Sequence, residues 1–89
     1  MTTDELLKER GQQYGSFKKQ AEAIGRILNA LRNLRHQDGT RPNYIEKEDT
    51  ENFFLALKLC RMQTSDDVDT LDDLIGYATL IKKNRFGTE

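Results

Sequence analysis

Lys58 and Arg61 stand three residues apart in this chain, and Phe54 precedes Lys58 by one helical turn. On a helix these three side chains share one side. A guanidinium and an ammonium take phosphate oxygens, and an aromatic ring stacks on a base, so the trio suits a nucleotide ligand. An equally physical outcome is that both cations pair with Asp69, Asp72 or Asp73 of a neighbouring helix.

A second constellation is acidic. Glu48 and Glu51 are three apart, as are Asp69 and Asp72, so each pair occupies one helical face. Four carboxylates converging from two helices could hold magnesium against a phosphate for nucleotide cleavage. The spacing is formally similar to the ExxE…ExxD arrangement of all-α nucleoside triphosphate pyrophosphohydrolases, with Asp69 where that family's second motif begins on glutamate. Fifteen acidic residues in 89 also produce such spacings by chance.

A third stretch, "ERGQQYGSFKKQ", sets Tyr14 between Gly11 and Gly15 and follows it with Phe17, Lys18 and Lys19. Glycines leave backbone N–H groups uncovered, and a run of them entering a helix N-terminus attracts anions. Tyr14 could then lie over a base; alternatively, Tyr14 and Phe17 staple the first helix to the body. His36, the lone histidine, stands at a helix end and caps carbonyls in this reading. Cys60, the lone cysteine, lies in an apolar run and reads as core. Neither has a catalytic partner, and no Cys/His cluster suggests a metal, so no catalytic residue, metal or cofactor is assigned.

These residues need helices to position them. Thr2 with Glu5 forms a capping box for a short first helix, which Gly11 ends after about Arg10. Ser16 caps a second helix from Phe17 to about His36, with Phe17, Ala21, Ile24, Leu28 and Leu31 inward and Ile27 and Leu34 widening the stripe. Gly25 within it costs on the order of 1 kcal/mol and suggests a close backbone or ligand. "HQDGTRPN" is a loop. A third helix spans about Tyr44 to Met62 and is apolar on two sides, so it must be buried from two sides. Ser65 or Asp66 caps a fourth helix running to about Lys83, with Val68, Leu71, Leu74, Ile75, Ala78 and Ile81 inward. The class is all-α: one domain over residues 1–89, with a short N-terminal helix and loop over 1–16, three main helices over 17–83, and a tail over 84–89.

Composition bounds the rest. The apolar share is 36% and the charged share 33%, at a net charge of −1. A chain of this length buries only about 60–65% of its unfolded surface, so self-association is expected to complete its core. The near-neutral charge argues against duplex DNA as a partner. No signal peptide and no run of about 20 apolar residues is present, so a cytosolic protein without membrane contact is expected.

Taken together, "ERGQQYGSF", "ALKLCRM" and "TLDDLIGYATL" resemble a group of small phage proteins with the pattern R-G-x-x-Y-G-x-F, K-[LI]-x-R and D-x-[ILV]-D-[IL]-x-G-Y-A. The likeness spans about Glu9 to Leu80, and the chain is similar to the phage anti-CBASS sponge proteins. That resemblance implies a non-enzymatic homohexamer in the host-cell cytoplasm. It implies binding of cyclic dinucleotides such as cGAMP and of cyclic trinucleotides at subunit interfaces, which hides these messengers from immune effectors. It puts the stacking ring on Tyr14 and a phosphate contact on Arg61. The family's second-helix cation falls nearest Arg26, although the aligned position is Asn29. Lys58 joins the phosphate contacts, with Phe17 and Lys18 as outer support. The competing classes are the magnesium pyrophosphohydrolase above and a module that binds a host protein through the fourth helix.

Overall fold

Local capping sets the helices of this chain. Its computed structural model describes residues 2–14 and 16–87, without the side chains of residues 11–14. Four helices follow one another: α1 (Thr3–Tyr14), α2 (Phe17–Arg35), α3 (Lys47–Met62) and α4 (Val68–Phe86). No strand occurs among the described residues, which makes the fold all-α as expected. The Thr2 hydroxyl accepts from the Glu5 N–H at 3.2 Å and donates to the Glu5 carboxylate at 3.1 Å. The Ser16 hydroxyl accepts from the Lys19 N–H at 3.4 Å, which is the expected cap of α2.

Four boundaries differ from the sequence reading. Gly11 does not stop α1, which continues to Tyr14; a lone glycine costs about 1 kcal/mol in a helix but leaves its hydrogen bonds intact. The expected open loop before Gly15 is therefore helical backbone, and Gly15 lies outside the described residues. α3 begins at Lys47, three residues later than expected, because Glu46 and Asp49 form a capping box in which the Glu46 N–H donates to Asp49 Oδ2 at 2.8 Å. α4 is capped by Asp67, whose side chain accepts from the Asp69 N–H at 2.9 Å. It ends at Phe86 on Gly87, which holds the left-handed φ of 61° that favours glycine.

α3 is the middle layer, with α2 on one side and α4 on the other. Its two apolar sides are thus only partly covered within one chain: Phe53, Phe54 and Leu59 remain 40%, 39% and 43% exposed. Ala56 of α3 sits at 1% exposure and Ile24 of α2 at 9%; these are the buried apolar residues among those described. The small Ala56 side chain lets helix backbones approach.

Much else that is apolar faces outward. Phe17 is 86% exposed, and Leu34, Val68, Leu71, Ile75, Leu80 and Phe86 are all exposed. On α4 the inward side is built from buried Thr70 with half-buried Leu74, Tyr77 and Ile81, so the expectation that Val68, Leu71, Ile75 and Ala78 point inward is corrected. Both sets have helical spacing, and packing on α3 selects the one containing threonine and tyrosine. The protomer's surface is 6865 Å², about 1,500 Å² above the roughly 5,400 Å² of a compact monomer of this length. Its radius of gyration is 15.4 Å against about 12 Å.

At Gly25 an added Cβ would meet nothing within 4 Å, so no backbone approaches there within the protomer. Gly25→Ala is therefore expected to raise stability by about 0.5–1 kcal/mol, read as a higher denaturation midpoint. A lower midpoint would mean that another molecule packs on Gly25. No described helix is long and apolar enough to cross a membrane.

Candidate functional site

The seam between α3 and α4 holds the first side-chain group. Phe54 and Lys58 are one turn apart on α3, as are Asp73 and Tyr77 on α4, so the two pairs meet across the seam. Lys58 Nζ lies 2.8 Å from Asp73 Oδ2 and 5.9 Å from the centre of the Tyr77 ring. Phe54 stacks on Tyr77 with centroids 4.9 Å apart and planes at 26°, and Phe53 meets Phe54 edge-on at 6.0 Å. Lys58 is only 7% exposed, so its charge is met by Asp73 inside the protomer. Of the three aspartates open to it in the sequence, Asp73 is the one chosen.

Toward the other end of α3, Arg85 closes on Glu51. Both Nε, at 3.1 Å, and a terminal nitrogen, at 2.8 Å, donate to Glu51 Oε1. That hydrogen bond, reinforced by the Glu51 charge, raises the Arg85 pKa against the opposing effect of desolvation. The contact spans 34 residues of sequence.

A third group ties the end of α2 to the start of α3, and the sequence reading missed it. Arg32 Nε lies 3.2 Å from Asp49 Oδ2, and its terminal nitrogen donates to the carbonyls of Pro42 and Tyr44, both at 2.9 Å. Arg35 reaches Asp49 at 2.5 Å and Glu46 at 3.2 Å. The His36 ring meets Glu46 at 2.5 Å instead of capping carbonyls with its side chain. Burial pushes the Asp49 carboxyl up, but the Arg35 hydrogen bond, the Glu46 N–H and the two arginine charges leave it below the usual carboxylate range. The His36 hydrogen bond holds Glu46 low as well, against desolvation and with help from Arg35. The available signal was Glu46 and Asp49 at capping-box spacing, with Arg32 and Arg35 one turn apart on the preceding helix.

The nucleotide-binding candidates are spread over the protomer. Phe17 and Lys18 open α2, exposed, and Phe17 lines an apolar groove of about 390 Å³ with Ile24, Leu28, Phe53 and Leu57. Arg26 is nine residues further on, about 13 Å along the axis, and faces solvent about 200° around from buried Ile24. Lys58 is under α4, and Arg61 is half-buried in the last turn of α3 with contacts of its own. The Tyr14 side chain lies outside the described residues. One cation that sequence reasoning did not select is Arg41. It donates to the side-chain oxygens of Asn29 at 2.7 Å and Asn33 at 2.8 Å, which puts a guanidinium on α2 at Asn29.

α2 also starts unlike the other helices. α1, α3 and α4 carry acidic residues in their first turns, whereas α2 carries none and has Lys18 and Lys19 there. Positive side chains at the positive end of a helix dipole are unfavourable unless an anion shares the site. A cleft of about 410 Å³ joins this end of α2, at Ser16, Lys19 and Gln20, to the end of α3 at Cys60 and Gln63.

The acidic constellation is not assembled. Glu51 is engaged by Arg85, Asp69 and Asp72 are exposed on α4, and no three potential metal-ligating side chains converge among the described residues. Compared with known proteins, residues 2–85 match the model of a family described as a domain of unknown function, DUF6378. No curated protein and no solved structure matches the chain.

Proposed function

We propose that this chain, which belongs to the DUF6378 family, assembles with copies of itself and captures cyclic oligonucleotide messengers without cleaving them. The ligands are cyclic dinucleotides such as cGAMP and cyclic trinucleotides, and the role is that of a phage protein that denies these signals to CBASS effectors in the host cytoplasm. The observation that carries the reading is the start of α2: a phenylalanine ring 86% exposed beside Lys18 and Lys19, in a first turn without a carboxylate. A ring in solvent gains by stacking on a base, and the two cations gain from phosphates.

Assembly is needed on this reading because Phe17, Arg26, Lys58 and Arg61 do not meet in one protomer. The exposed apolar side chains support it, among them Leu34, Leu71, Ile75, Leu80 and Phe86, on a chain whose surface exceeds that of a compact monomer by about 1,500 Å². Lys58 then acts through its Asp73 pair at the edge of the pocket, while Tyr14 supplies the ring and Arg26, Arg41 and half-buried Arg61 supply positive charge.

The test is recovery. The protein is mixed with a cyclic dinucleotide, the complex is isolated, and heat releases the ligand. Intact messenger is expected, with Arg61→Ala and Phe17→Ala each weakening capture at least about tenfold at unchanged helicity. Cleaved messenger, or capture that neither substitution alters, overturns the reading.

A further inference from the structure

Glu51 carries a feature that neither the cyclic-messenger reading nor the α3–α4 packing uses. Its Oε1 takes both Arg85 donors, at 3.1 and 2.8 Å, while its Oε2 is buried and meets no donor among the described residues. The residue is 9% exposed. A buried carboxylate oxygen left without a donor is costly, so the position is poised for one supplied from outside.

That side chain lines a cleft of about 480 Å³ between α3 and α4, within the size range of small-molecule sites. The lining is mostly apolar, from Phe54, Tyr77, Leu80 and Ile81, and Thr50, Asn84 and the exposed Lys47 add polar groups. The donor must therefore enter on a flat, largely apolar body. Arg85 already offsets the Glu51 charge, so a neutral N–H suits Oε2 better than a second cation. The exposed Lys47 favours an anionic substituent on the part of the ligand left outside.

We infer that this cleft binds a heteroaromatic ring of nucleobase type bearing an exocyclic amino group, with the amino N–H donated to Glu51 Oε2 and the ring held among Phe54, Leu80 and Ile81. Arg85 acts as a positioning residue: by occupying Oε1 it fixes the carboxylate so that Oε2 receives the ligand. The site is separate from the start of α2 and stands whether or not the chain captures cyclic messengers.

The test titrates the full chain with 2-aminopurine riboside, whose fluorescence falls on stacking, and competes it with purine riboside, which lacks the amino group. Saturable quenching is expected, with purine riboside competing at least about tenfold more weakly, because it leaves Oε2 unpaired. Glu51→Gln keeps an amide oxygen for Arg85 but turns an NH₂ toward the ligand's own donor, and is expected to abolish quenching. Leu80→Trp, which fills the cleft and leaves Glu51 in place, must also abolish it, and decides the matter should Glu51→Gln fail to fold. Equal competition by purine riboside, or no saturable quenching by the wild-type chain, overturns the inference. So does a change of subunit number in either variant with quenching retained, since a second copy would then be what covers the cleft.

Discussion

Asp49→Ala is expected to destabilise the protein by about 2–4 kcal/mol, a large part of the roughly 5–15 kcal/mol that holds a small domain folded. Asp49 is 4% exposed, receives Arg32 and Arg35, and closes the capping box on the Glu46 N–H. Removing it takes a buried counter-charge from two guanidiniums, leaving Arg32 with the Pro42 and Tyr44 carbonyls and Arg35 with Glu46, and it unpairs one helix-start N–H. Breaking a buried pair ordinarily costs about 3–5 kcal/mol; the lower figure applies because the Arg35 side chain is 24% exposed and partly screened. Urea denaturation reads the loss directly. The same carboxylate makes the fold acid-sensitive. Its folded pKa is depressed, as is that of Glu46, so their contribution is full above the ordinary carboxylate value of about 4 and is lost as pH falls through the lower folded values. Wild-type stability should fall steeply below about pH 4, and Asp49→Ala should fall less steeply. Equal acid slopes would mean that Asp49 is not held by the arginines in solution.

On the self-assembly proposed above, Leu71→Glu with Ile75→Glu is expected to leave single chains. The two side chains, with Val68, run along one exposed side of α4, at 45%, 64% and 66% exposure. Burying a leucine or isoleucine contributes about 1.5–3 kcal/mol, so losing two at each contact weakens it by upwards of about 3 kcal/mol, more than a hundredfold in dissociation constant, before the cost of buried charge. Light scattering should report the mass of one chain, and messenger capture should fall with it. An unchanged mass, with stability within about 0.5 kcal/mol of wild type, is what an ordinary free surface would give.

The parts of this fold legible in the sequence are those fixed by neighbours within a turn. Thr2 with Glu5, Ser16 ahead of Phe17, and the Asp-Gly loop each satisfy local backbone groups, and α2 falls where they put it. The sequence pattern starts α3 too early because Tyr44 and Ile45 extend its apolar run; they are 65% and 71% exposed, and Glu46 with Asp49 sets the boundary. The inward face of α4 departs from the apolar pattern for a related reason. Val68, Leu71 and Ile75 form the greasier stripe, yet Thr70, Leu74, Tyr77 and Ile81 turn inward, where Tyr77 finds Phe54 and the neighbouring Asp73 finds Lys58. The choice between stripes depends on the partner helix, which no window of sequence contains. Contacts such as Arg85 to Glu51 and Arg32 to Asp49 join distant segments and have no local signature. For the candidate site, residue types proposed Phe17, Lys18, Arg26, Lys58 and Arg61, but their separation in the protomer follows only from the helix packing.

Native mass spectrometry of the purified protein incubated with a cyclic dinucleotide tests the central proposal most directly. The expected spectrum is a closed multimer, six subunits being favoured, that carries whole numbers of ligand at the mass of the intact messenger. A single chain with no retained ligand, or a multimer holding cleaved nucleotide, would contradict it.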